Sequence, residues 1–188
     1  MTFSVPFQEI TKAAPPSHNQ VTQIEDVIYK IREDAIVQTY AKMVPVQQSL
    51  GLEFLLQRRD FFQNFKYNIA KGIAEALGTN DKQVQKVYLF EPSANPDAET
   101  GEYLPLEAII HLLVVASKTS AALDTLIQAL DQSLAGYLNE MPSPLLAERH
   151  SILDAVVLTQ EAVEQRQGYA SLVSSILAPS FKLWEREA

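Results

Sequence analysis

Phe61, Phe65, Ile69, Ile73 and Leu77 recur at every fourth residue without a break. Residues four apart share one face of an α-helix. This ladder therefore demands a helix whose aromatic and aliphatic face is covered by another element. Leu52, Leu55, Leu56 and Phe62 extend the apolar set. The pattern predicts one helix from about Leu52 to Leu77, with Gly78 as its C-terminal stop.

The partner for that face lies upstream. Ile24, Val27, Ile28, Ile31, Ala35 and Ile36 fall on one stripe, and Glu25, Asp26, Lys30, Arg32, Glu33 and Asp34 fill the rest. Thr22 and Glu25 have the spacing of a capping box, so a helix is expected over 22–43, ending before Pro45. The short connection makes the two helices an antiparallel pair.

The apolar period then changes. Val84 to Phe90 reads as a strand buried on both faces, with Val87 and Leu89 on one side and Tyr88 and Phe90 on the other. Glu91 to Glu102, with Pro92, Asn95, Pro96 and Gly101, reads as a long acidic turn. Tyr103 to Ala116 reads as the second strand of a hairpin. Ser117, Thr119 or Ser120 can cap a helix running to about Asn139, before Pro142 and Pro144. Residues 152–158 form a candidate third strand, with a helix as the alternative because good helix formers follow at Glu161 to Arg166. A strand there would lie parallel to the second strand across a right-handed crossover. Tyr169 to Leu177 reads as helical, and Phe181 to Leu183 as a short final strand. Trp184, the one tryptophan, is placed to close the core.

The expected fold class is α+β: a small mixed sheet (hairpin 84–116 plus a possible strand near 152–158) packed with helices and preceded by an N-terminal antiparallel helical pair. Residues 1–20 read as an arm and 21–188 as a single domain, with the helical hairpin at 22–78 and the sheet-containing part at 82–188. At 188 residues with 47% apolar side chains, the chain can bury a core without staples. It has no cysteine, which excludes disulfides, thiolate nucleophiles and cysteine-ligated metals.

Several function classes are disfavoured. The formal charge of −8 repels nucleic acid, and no basic patch offsets it. Arg58 and Arg59 are adjacent, but Glu53 and Asp60 flank them. The longest apolar run, Ala108 to Ala116, is interrupted by His111 and falls far short of the ~20 residues of a membrane helix. With no export pattern at 1–19, the cytoplasm is the expected compartment. Gly51, Gly72, Gly78, Gly101, Gly136 and Gly168 are too scattered for a phosphate-binding loop, so no nucleotide cofactor is expected. Nucleophile motifs such as Gly-x-Ser-x-Gly are absent. The acids Glu91, Asp97, Glu99 and Glu102 lack EF-hand spacing, and no metal or other cofactor is expected.

Two features remain. On a strand, Glu107 and His111 interrupt one face that continues as Leu113 and Val115, while Ala108, Ile110, Leu112 and Val114 form a wholly apolar opposite face. If the second and third strands pair, His150 converges on them, and Tyr88, Phe90 and Tyr103 would wall a ligand pocket. A core histidine satisfied by a neighbouring carboxylate is the bland alternative. Second, Phe3, Val5 and Phe7 alternate in the arm, as in a segment that docks on a partner or on its own domain. The expected function is a soluble, self-associating, non-enzymatic interaction or regulatory protein, partnered by itself or another protein. The alternative is a small-molecule-binding protein or enzyme with a pocket near Glu107 and His111.

Overall fold

The computed structural model describes residues 18–45, 50–90, 109–141, 150–175 and 180–187. Helix α1 spans His18–Met43, α2 Leu52–Leu56, α3 Arg59–Asn80, α4 Ala121–Asn139 and α5 Gln160–Glu164. Strands are β1 Val84–Phe90, β2 Ile110–Ala116, β3 Leu153–Thr159 and β4 Phe181–Glu185. The fold is α+β, as its sequence periods require.

The every-fourth-residue ladder is the centre of the core. Phe61, Phe65, Ile69, Ile73 and Leu77 are each at most 1% exposed. Helix α1 packs on α3 in antiparallel contact. Thr39 faces Asn68, whose Nδ2 donates to Thr39 Oγ1 at 2.9 Å, while Ile31, one end further on, meets Gly72. A β-carbon on Gly72 would stand 2.8 Å from Ile31 Cγ2, so the glycine sets how closely the helices approach.

Four local expectations are corrected. The helix predicted over 52–77 is two helices, because Arg58 takes an extended conformation (φ −81°, ψ 124°) as the N-cap of α3. Gly78 does not stop α3, which runs on to Asn80. It is buried because the indole of Trp184 lies against it. Thr22 and Glu25 do not start α1, which begins at His18 and contains them. The segment expected as a helix over 169–177 is a 3-10 helix at Gly168–Ser174.

The strands form one sheet in the order β3-β2-β1-β4. β1 runs antiparallel to both β2 and β4, and β2 runs parallel to β3 through α4. Ser120 caps α4, its hydroxyl accepting from Leu123 N at 3.1 Å. Asp131 on α4 then holds the start of β3, Oδ1 accepting from Ile152 N and Leu153 N at 2.8 Å each. Helices α3 and α4 pack on the sheet face that carries Ile110, Leu112, Val114 and Ala116, and α1 packs on α3 and α4. The opposite face is covered around Leu113 and Leu158 by Ala170, Leu172 and Val173 of the 3-10 helix and by Ala162 and Val163. Of the expected arm, residues 1–17 lie outside the described residues, as do the acidic turn 91–102 and the stretch 103–108.

Candidate functional site

Strand register assembles the second sheet face into rows. Phe90, His111 and Asp154 form one row across β1, β2 and β3. Tyr88, Leu113 and Val156 form the next, with Lys182 of β4 beside Tyr88. Lys86, Val115 and Leu158 form a third, with Glu185 beside Lys86. The middle of this face is apolar and its ends are polar.

At one end, His111 Nδ1–H donates to Asp154 Oδ2 at 2.8 Å. The carboxylate holds the ring in one orientation and tautomer. The His111 side chain is 16% exposed and that of Asp154 is 60% exposed, so the pair sits at an opening rather than in the core. The ring of Phe90 meets His111 edge to face, with centroids 6.4 Å apart. Phe90, Leu113, Val156 and the exposed Tyr169 complete a cavity of about 170 Å³. A histidine oriented by a carboxylate beside an apolar wall is a unit that can move a proton or hold a small polar group. The cavity is smaller than the roughly 300–1,000 Å³ of ordinary small-molecule sites.

At the other end, Glu185 accepts hydrogen bonds from Lys182 and Lys86, the latter at 3.0 Å. The Lys182 hydrogen bond, then that of Lys86, holds the Glu185 carboxyl below the ordinary glutamate range. The same contact with Glu185 raises the Lys86 ammonium above its usual range. Among the described residues, no three His, Asp or Glu side chains converge as metal ligands.

Of the residues singled out in the sequence, His111 and Phe90 line the cavity, and Tyr88 lies one row away on the same face. Glu107 and Tyr103 fall outside the described residues, so their places in the proposed pocket do too. His150 is exposed, three residues ahead of β3, and is not among the described residues lining the cavity. The carboxylate seen on His111 is that of Asp154, which sequence reasoning missed. Its signal was a lone acid inside the apolar run Ile152 to Leu158, unreadable without the parallel register.

A second concave surface lies on the helical layer. Two hollows, about 290 and 240 Å³, share Val27 and Asn80 and so form one groove. Ile31, Gly72 and Ala76 lie along the first, Ile24, Leu126 and Ala129 along the second. Lys30, Asp34, Lys71 and Glu75 edge it with charges of both signs.

No helix among the described residues is long and apolar enough to cross a membrane. Neither protein-family models, nor curated proteins, nor solved structures match this chain.

Proposed function

We propose that this chain is a non-enzymatic interaction or regulatory protein of the cytoplasm that works by binding protein, in the first place itself. The observation that carries this reading is the groove of α1, α3 and α4. It is apolar along its floor and mixed in charge along its edge, which is the make-up of a protein-binding surface. The chain's net charge of −8 supports a protein partner over nucleic acid. The test is the mass in solution, by light scattering, of the full chain and of a form lacking residues 1–16. The full chain is expected as a dimer and the truncated form as a monomer. A full chain that stays monomeric as its concentration rises overturns the reading.

A second reading rests on the His111–Asp154 pair at its small cavity: a site for a small polar ligand. It expects a low-mass species to accompany the gently isolated protein in native mass spectrometry. His111→Ala and Asp154→Asn should each release that species while the thermal midpoint holds. A fall in stability with no bound species lost would make the pair a cross-strand structural contact.

A further inference from the structure

Lys30, Asp34 and Val37 lie on one stripe of α1, and Tyr67, Lys71 and Glu75 lie on one stripe of α3. All six are exposed, Val37 at 64% and Tyr67 at 42%. We infer that this face of the α1–α3 pair docks on the same face of a second copy, with a two-fold axis running along the groove between the helices. The inference rests on the self-association proposed above and names its contact.

The packing of α1 on α3 sets the levels of these residues. Thr39 meets Asn68, Lys42 Nζ donates to Asn64 Oδ1 at 2.8 Å, and Ile31 meets Gly72. Along antiparallel helices these contacts put Lys30 level with Glu75, Asp34 with Lys71 and Val37 with Tyr67, each to within about half a turn. The four charges thus form a checkerboard at the rim of the groove. Among the described residues, none of the four makes an ion pair or a side-chain hydrogen bond.

A checkerboard is its own complement. Rotation about the groove axis lays Lys30 on Glu75 of the copy, Asp34 on Lys71 of the copy and Val37 on Tyr67 of the copy. Two-fold symmetry repeats each contact. The apolar pair then leaves water, and the charges fix the register and reject wrong partners. The face is also large enough. Two helices side by side are about 20 Å wide, and the 22 residues of α3 run about 33 Å, so each copy covers about 600 Å². A stable interface takes roughly 800 Å² per partner, which is the same order.

The charge pattern selects a copy over another segment of the same chain. Its complement needs two acids and two bases. Residues 1–17 offer one of each, Glu9 and Lys12, and residues 142–149 one of each, Glu148 and Arg149. Residues 91–108 offer acids and no base, and 46–49 and 176–179 carry no charged side chain.

The test uses the full chain. Lys71→Glu sets an acid against Asp34 of the copy and should halve the mass in light scattering, with helical circular dichroism retained. Adding Asp34→Lys to the same chain restores opposite signs and should restore the dimer. The chain has no cysteine of its own, so Val37→Cys and Tyr67→Cys each carry a single thiol. Mixed and oxidised, the two variants should form a disulfide-linked pair with one chain of each kind, in higher yield than either variant alone. A dimer unmoved by Lys71→Glu would overturn this face while leaving self-association standing. Loss of the dimer without recovery in the double variant would overturn the pairing of Asp34 with Lys71. Equal disulfide yields in mixed and unmixed samples would overturn the axis. A full chain that is monomeric at every concentration would overturn both the contact and the self-association beneath it.

Discussion

Gly78 shows how one residue can be misread from its type. Glycine is enriched just past helix ends, yet here it lies within α3 for a steric reason. A β-carbon at this position would stand 2.3–2.4 Å from the Trp184 ring, far inside contact distance. Gly78→Ala should gain up to about 1 kcal/mol of helix preference. Displacing the indole costs about 1–3 kcal/mol. The expected outcome of urea unfolding is a lower midpoint, and an unchanged or higher midpoint would show that Trp184 moves freely. Asp131 is a second such residue. Its Oδ1 serves two amides of buried residues at the start of β3. Asp131→Ala should cost about 2–3 kcal/mol, because both donors lose their acceptor. Asp131→Asn keeps a carbonyl oxygen and should cost less. Equal losses in the two variants would show that the charge, not the acceptor, holds the strand.

At the scale of elements, β4 depends on contacts at its C-terminal end. Lys86 and Lys182 hold it through Glu185. Beyond it, Arg186 reaches the end of α3, donating from Nη2 to Gly78 O at 2.7 Å and Asp81 O at 3.0 Å, and from Nε to Val84 O at 3.0 Å. Helix α3 has no basic residue in its own last turn, so Arg186 supplies the cation that its C-terminal carbonyls favour. The Glu185 carboxyl is lower in the folded chain than in the unfolded one. Its contribution is therefore present above the ordinary glutamate range and is lost as pH falls through the lower folded value. Amide exchange of β4 should rise on acidification through that window more than that of β2, and salt should shrink the difference. An exchange ratio that stays flat with pH would remove Glu185 as a fastener of the strand. On the helical side, Arg32 lies over the rings of Tyr29 (5.1 Å) and Tyr137 (5.2 Å) and ties α1 to α4.

At the scale of the molecule, the two sheet faces have different fates. One is sealed by α3 and α4, with α1 packed on those helices, and the other is covered over Leu113 and Leu158, with His111–Asp154 left at an opening. The outer side of the helical layer keeps its groove. If a second copy fills it, the thermal midpoint of the full chain should rise with protein concentration, because association stabilises only the folded form. The form lacking residues 1–16 should melt at a lower temperature that does not depend on concentration. Two forms with the same flat concentration dependence would argue against a dimer built by the arm.

Local period sufficed for much of this architecture. The buried ladder from Phe61 to Leu77, the strand at Val84–Phe90 and the helix ending at Asn139 follow from spacing and side-chain shape, which act over neighbouring residues; at 152–158 the local pattern left strand and helix both open, and pairing with β2 makes it a strand. The split of His111 from the apolar face of Ile110, Leu112 and Val114 follows from strand alternation in the same way. What the sequence could not supply was anything that depends on contacts between distant segments. Asp154 meets His111 only through the parallel register of β2 and β3, and Gly78 is required only because Trp184, more than a hundred residues later, lands on it. The break at Arg58 is likewise absent from the apolar pattern, which runs through it from Leu52 to Leu77. The groove is a surface between three helices, and no single helix pattern contains it. Sequence alone therefore determined the fold class, most of the helices and strands, and which faces they bury. Tertiary structure decided which side chains meet, because meeting depends on register and packing across the whole chain.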